Sequence, residues 1–219
     1  MKCRHYTRHR VDYASRFGQK RVVAQRVPFS SKMWHYSGGK GGNAMNRLTD
    51  RMIRAARLDV GVYEEVEADP NAMTEAMATV VLSSLAAGVA GIAITGIGGL
   101  VLQTVGALIG WFVWAYLTYL IGTRLLPEPQ TTADFGELLR TLGFASAPGV
   151  IRVAGVIPGL LHLSFFLAGV WMLIAMVIAV RQALDYTSTL RAVGVCLIGF
   201  VVQTIILAVV FMAAGPPGA

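Results

Sequence analysis

The sequence predicts an all-α fold, a polytopic membrane helical bundle of about five transmembrane helices. Three observations carry that prediction. No charged residue lies between Glu75 and Arg124. Hydrophobic residues make up 55% of the chain and charged residues only 14%, against about 25% charged in a soluble domain. Two further apolar runs, at 164–180 and 190–214, fall within the range of about 17–25 residues that a helical crossing needs.

Residues 1–44 differ from the rest. They hold ten Lys and Arg against one acid, Asp12, while the remaining chain carries nine basic and eleven acidic residues. The high pI therefore belongs to this head. A basic arm is drawn to anionic lipid, at about 1 kcal/mol per Lys or Arg near the surface. It could also bind nucleic acid, but no folded nucleic-acid module accompanies it and no nucleic-acid partner is expected. A third reading starts from Lys40-Gly41-Gly42-Asn43-Ala44-Met45. Its codons can contain a ribosome-binding sequence just before an ATG, which would make Met45 the natural start and 1–44 a leader. In either case the composition calls for no folded structure there.

Residues 45–72 form a cytoplasmic amphipathic segment. Leu48, Met52, Ile53, Ala56 and Leu58 recur near helical spacing, with Arg47, Arg51, Arg54 and Arg57 on other faces. Such a helix lies in the membrane interface or packs on the end of the bundle. Val60, Val62, Tyr63 and Val66 follow, interleaved with acids, and Pro70 is the expected stop. Tyr63, Glu64, Glu65 and Glu67 are the candidate partner-binding residues. The plainer reading of this acidic patch is a solvated face.

The membrane domain covers 73–215. Its first two spans, about 74–97 and 99–122, form a hairpin turning near Gly96, Gly98 and Gly99. Trp111, Trp114, Tyr116 and Tyr119 mark an interface. Gly106 and Gly110 are a small-residue pair that permits close helix approach. A polar link with Pro127 and Pro129 leads to an interfacial helix and then a proline-interrupted third span, to about 157, containing Pro148 and Arg152. Arg152 is a candidate intramembrane polar residue, although a position near a span end would let it snorkel to the headgroups. Spans four and five are about 164–180 and 190–214, with Ser188 and Thr189 as caps for the last.

Lys and Arg placement sets the orientation. The segment before span one and the 2–3 and 4–5 links hold Arg47 to Arg57, Arg124, Arg140, Arg181 and Arg191. The N-terminus is therefore expected in the cytoplasm and the C-terminus outside.

The chemistry-bearing residues are few. No HExxH, GxSxG or Walker-type loop is present. Beyond residue 75 the acids are Glu128, Asp134, Glu137 and Asp185, all in predicted links, and Glu137 and Arg140 have the spacing of a helical pair. Cys3 and Cys196 suggest neither a disulfide nor a metal site. No enzyme activity, catalytic residue, cofactor or metal is expected.

The stretch from Met52 through Asp59, then Tyr63-Glu-Glu-Val-Glu-Ala-Asp-Pro70, resembles the start of bacterial Yip1-domain proteins. So do the run from Phe135 to Pro148, then Val156-Ile-Pro158, Trp171, and Asp185-Tyr186-Thr187-Ser188 before Arg191-Ala192. The resemblance covers about residues 45–212. It implies five membrane helices with a cytoplasmic N-terminus, in the bacterial inner membrane. Eukaryotic members bind prenylated Rab-type GTPases, but the long cytoplasmic region they use is not evident here, and GTPase binding is not carried over. The expected function is that of a non-catalytic integral membrane protein that organises membrane partners or local bilayer shape. Its partners would be the lipid bilayer and a membrane protein or a second copy. The alternative is a small transporter or channel subunit, with Arg152, Gln103, Gln203 and the broken third span in its pathway. Polar groups facing one cavity would favour that alternative.

Overall fold

The structure is a computed structural model that describes residues 44–214. The readings of the basic head fall on residues outside the described ones, apart from Ala44. The described chain is helical, with no strand among the described residues. Four of its segments are long and apolar enough to cross a membrane: Ala72–Ile92, Ile94–Leu125, Leu161–Ala183 and Thr189–Ile206.

The expected single amphipathic stretch is two helices, α1 (Ala44–Ala56) and α2 (Val60–Ala68). The chain leaves α1 through Leu58, at φ 62°. Leu58 N–H donates to the Ala55 carbonyl and Asp59 N–H to the Arg54 carbonyl. This is a Schellman ending with leucine where glycine is usual. Asp59 then caps α2, its carboxylate accepting from Gly61 N–H at 3.0 Å.

Helix α3 (Ala72–Leu120) is interrupted at Gly96, with φ 64° and ψ −174°, a conformation glycine adopts without strain. The interruption is a reversal. A Cβ on Gly88 would lie 3.4 Å from Leu100 Cα, whereas twelve residues of straight helix rise about 18 Å. The predicted hairpin is therefore present, and its halves (Ala72–Ile92 and Ile94–Leu125) are called arm one and arm two. Arm two ends in a turn of π-helix, Ile121–Leu125. The buried Tyr186 hydroxyl lies 2.9 Å from the Gly122 carbonyl and 2.8 Å from that of Leu126, and its one proton serves both.

The expected interfacial helix is α4 (Phe135–Phe144), and the expected proline-interrupted third span is a 3₁₀ helix, Ala147–Val156, which is not among the four long apolar segments. Asp134 and Glu137 form a capping box at the start of α4. The two pieces run alongside arm one in the same direction. A Cβ on Gly143 would be 2.7 Å from that of Ala76, on Gly149 would clash with Ser83 Oγ, and on Gly155 would be 3.1 Å from that of Ala90. From Gly149 to Gly155 is two turns of 3₁₀ helix, about 12 Å, and from Ser83 to Ala90 is two turns of α-helix, about 10.5 Å. The two windings thus stay in register while small residues let the backbones approach.

Helices α5 (Leu161–Ala183) and α6 (Thr189–Ala214) complete the bundle. Ser188 and Thr189 are not the side chains that cap α6. The carboxylate of Glu128, in the link after arm two, accepts from Thr187 N–H at 3.0 Å, Thr187 Oγ1 at 2.8 Å and Ser188 N–H at 3.4 Å. An anion at a helix N-terminus answers its unpaired donors and its dipole. These hydrogen bonds, first that of the Thr187 backbone, hold the Glu128 carboxyl below its ordinary pKa.

Helices α1, α2 and α4 gather where arm one begins and arm two ends, here called the capped end. The large buried side chains, among them Tyr63, Leu138, Leu142, Phe144 and Leu184, lie there. The opposite end, with Ile94, Ile97, Leu102, Val156 and Phe166, is exposed and apolar.

Candidate functional site

Two constellations hold the polar chemistry. The first is at the capped end. Arg51, buried on α1, reaches Glu65 at 2.9 Å, Asp69 at 3.0 Å and Glu75 at 2.7 Å. Glu75 also meets Arg47 at 3.6 Å. Arg54 takes Glu65 at 2.6 Å and Asp59 at 2.9 Å. Burial opposes the charge of Arg51, but hydrogen bonds to Asp69, Glu75 and Glu65 outweigh it and raise its pKa. Asp69 is the converse: against the effect of burial, Arg51 and the Asn71 backbone hold its carboxyl below the usual range.

The acidic segment is largely occupied by these contacts. Tyr63 is fully buried and its hydroxyl donates to the Ala55 carbonyl at 3.3 Å. Glu64 and Glu65 are exposed, but Glu64 accepts from Gln182 at 2.9 Å and Glu65 from both arginines. Glu67 is half-buried. Burial first, then Glu137, Asp185 and Glu64, push its carboxyl up to about 7. Arg140 is not paired with Glu137. It crosses from α4 to donate to the carbonyls of Val66, at 2.9 Å, and Glu67, closing the C-terminus of α2. The Glu137 carboxylate accepts from Asp134 N–H at 2.7 Å.

The second constellation is a cavity of about 510 Å³ inside the bundle, lined from both arms and from α4, the 3₁₀ helix, α5 and α6. Its polar residues include Ser83, Ser84, Gln103, Ser146, Arg152 and Gln203, and its apolar wall includes Trp111, Trp114, Met172, Met176 and Phe200. Arg152 turns inward to this space rather than outward along a snorkelling path. The winding explains the direction. A 3₁₀ helix has three residues per turn, so Arg152 shares a face with Gly149 and Gly155, the face packed between arm one and α5. Glycines one turn before and after leave room for the guanidinium.

The partners of Arg152 are poor. One terminal nitrogen lies 3.2 Å from Met172 Sδ, a weak acceptor. The guanidinium carbon stands 5.6 Å from the Phe165 ring centroid. Its Nε is buried and unpaired among the described residues, as are Gln203 Oε1 and Trp114 Nε1. Three elements therefore bring unanswered polar atoms to one cavity. Sequence reasoning singled out Arg152, Gln103 and Gln203, which the fold brings together. It missed Trp114, Ser83 and Met172, and the glycine spacing around Arg152 was the available signal.

These features define an all-α, multi-pass membrane protein whose helical bundle holds a laterally open, mainly apolar cavity with a few polar residues. The Yip1 domain family matches residues 62–211, and the chain belongs to that family. No curated protein and no solved structure matches it.

Proposed function

We propose that the protein is a non-catalytic integral membrane protein that organises membrane partners or local bilayer shape from its capped end, which faces the cytoplasm. The observation that carries this reading is the clamped cap. Helices α1 and α2 are joined to arm one through Arg51 and Glu75, to α4 through Arg140, and to α5 through Gln182 and Glu64. Trp171 Nε1 of α5 donates to the Ala56 carbonyl at 2.8 Å. The cap therefore moves with the spans and can transmit a load between a partner and the bilayer. Exposed Met45, Ile53 and Val60 and exposed Arg57 all belong to this cap, a combination suited to an interfacial surface. The arginines of the cap and its links argue for the cytoplasmic side.

The test is site-specific photocrosslinking in native membranes, with the crosslinker at Ile53, Glu64 or Val60. A discrete protein adduct or a self-adduct is expected from the cap, and none from a crosslinker at exposed Ile97. Lipid-only adducts from every position, with unchanged liposome curvature, would remove the organiser reading. The cavity favours a second reading, a transporter or channel subunit. Unchanged flux of tested solutes in an Arg152→Ala variant would count against that one.

A further inference from the structure

We propose that the cavity is a binding site for an anionic lipid, its phosphate or carboxylate head on the Arg152 guanidinium and part of its chain along Trp111, Trp114, Met172 and Phe200. The inference stands apart from the organiser reading, because it concerns what the bundle holds rather than what the cap meets.

Four observations converge. No carboxylate among the described residues comes within 4 Å of Arg152. A half-buried guanidinium whose Nε is sealed off without a partner is best answered by an anion, and its planar fork fits carboxylate and phosphate oxygens in pairs. The Met172 thioether is what such an oxygen would displace. Next, Gln203 Oε1 is an unanswered acceptor and Trp114 Nε1 an unanswered donor in the same cavity. A head that carries hydroxyls as well as charge can satisfy both kinds. The volume, about 510 Å³, lies within the range of about 300–1,000 Å³ typical of small-molecule sites. Finally, the cavity is open at its flank. Phe200 and Leu173 line it yet remain 59% and 56% exposed. In a bilayer that flank faces hydrocarbon, so the rest of a lipid can trail outward. An apolar wall with one cationic corner and a lateral opening selects an amphiphile over a free anion.

The experiment is native mass spectrometry of the full chain in detergent. The probes are phosphatidylglycerol, palmitate, phosphatidylcholine and inorganic phosphate, added separately and in competition. Retention of phosphatidylglycerol or palmitate over phosphatidylcholine by about tenfold or more is expected, the scale of one charge-assisted contact. Which of the two wins distinguishes a phosphate head from a carboxylate. Arg152→Gln should lose that preference, while Arg124→Gln, altered in the π-helical turn that ends arm two and outside the cavity lining, should keep it. Equal retention of phosphatidylcholine overturns the proposal, as does an unchanged preference in Arg152→Gln. Inorganic phosphate displacing the lipid at equal concentration would replace the lipid with a soluble anion and overturn it too. If Arg152→Gln fails to fold, the wild-type competition decides alone, with Gln203→Leu as the second variant, expected to weaken retention.

Discussion

Arg51 is buried and Arg152 half-buried with its Nε sealed off, yet their surroundings differ in kind. Arg51 sits among three carboxylates at the capped end, each within 3.0 Å. Arg152 sits in the bundle beside a thioether and an aromatic ring. Both guanidiniums are costly to bury. At the capped end the chain supplies the compensation itself, from α2 and arm one. In the cavity it supplies almost none. A buried charge answered within the chain reads as architecture, and one left unanswered beside an open cavity reads as a site. The same residue type thus has opposite meanings, and partners within 4 Å decide which.

The comparison can be broken most forcefully at Arg51. Replacing it by Met leaves Glu75 and Asp69 without their main partner, and removing one member of a buried ion pair costs about 3–5 kcal/mol. Denaturant titration of the detergent-solubilised protein should show that loss. A change below about 1 kcal/mol would make the cluster an ordinary surface network. Gly143→Ala tests the close packing that keeps the broken span on arm one. The new Cβ would meet the Ala76 Cβ at 2.7 Å and the Ala76 carbonyl oxygen at 3.1 Å. Overpacking of this kind costs about 1–3 kcal/mol, despite alanine's better helix propensity, and the midpoint of thermal unfolding should fall.

Glu67 offers a pH test at the capped end. Its carboxyl titrates near 7 in the folded chain and near 4.5 when unfolded. Below the lower value both states are protonated and Glu67 costs nothing. Between the two, the unfolded chain releases its proton first, so stability falls as pH rises, and the loss levels off above the folded value. The group is only half-buried, so screening limits the loss to about 1 kcal/mol. Glu67→Gln should flatten this slope and stabilise the protein at pH 8. An unchanged slope would place the titrating group elsewhere. The smallest effect is expected at Arg152. Without ligand, Arg152→Met removes an uncompensated charge, so stability should stay within about 0.5 kcal/mol or rise. A loss like that of Arg51→Met would show that Arg152 is structural after all and erase the contrast.

Much of the fold was legible in the residues. The uncharged run from 76 to 123 required two crossings, and Gly96 marked their turn. Asp134 and Glu137 have the spacing of a capping box, but the sequence alone pairs Glu137 with Arg140, which has the same local spacing. The break at Leu58 was not legible, because a leucine in a left-handed conformation defies its own local preference. The role of Glu128 was hidden for another reason. Its partners, Thr187 and Ser188, lie some sixty residues away, and nothing local distinguishes it from a solvated acid.

The sequence by itself determined the solvent. Long uncharged runs can satisfy their backbone in lipid only as helices, and arginines confined to the links make one end polar. Only the tertiary structure decided where Arg152 points. Its direction depends on whether the segment winds with 3.0 or 3.6 residues per turn. On the face that Arg152 shares, Gly149 meets Ser83 and Met172, and Gly155 meets Ala90, Leu161 and Ser164, residues brought together only when the broken span lies between arm one and α5.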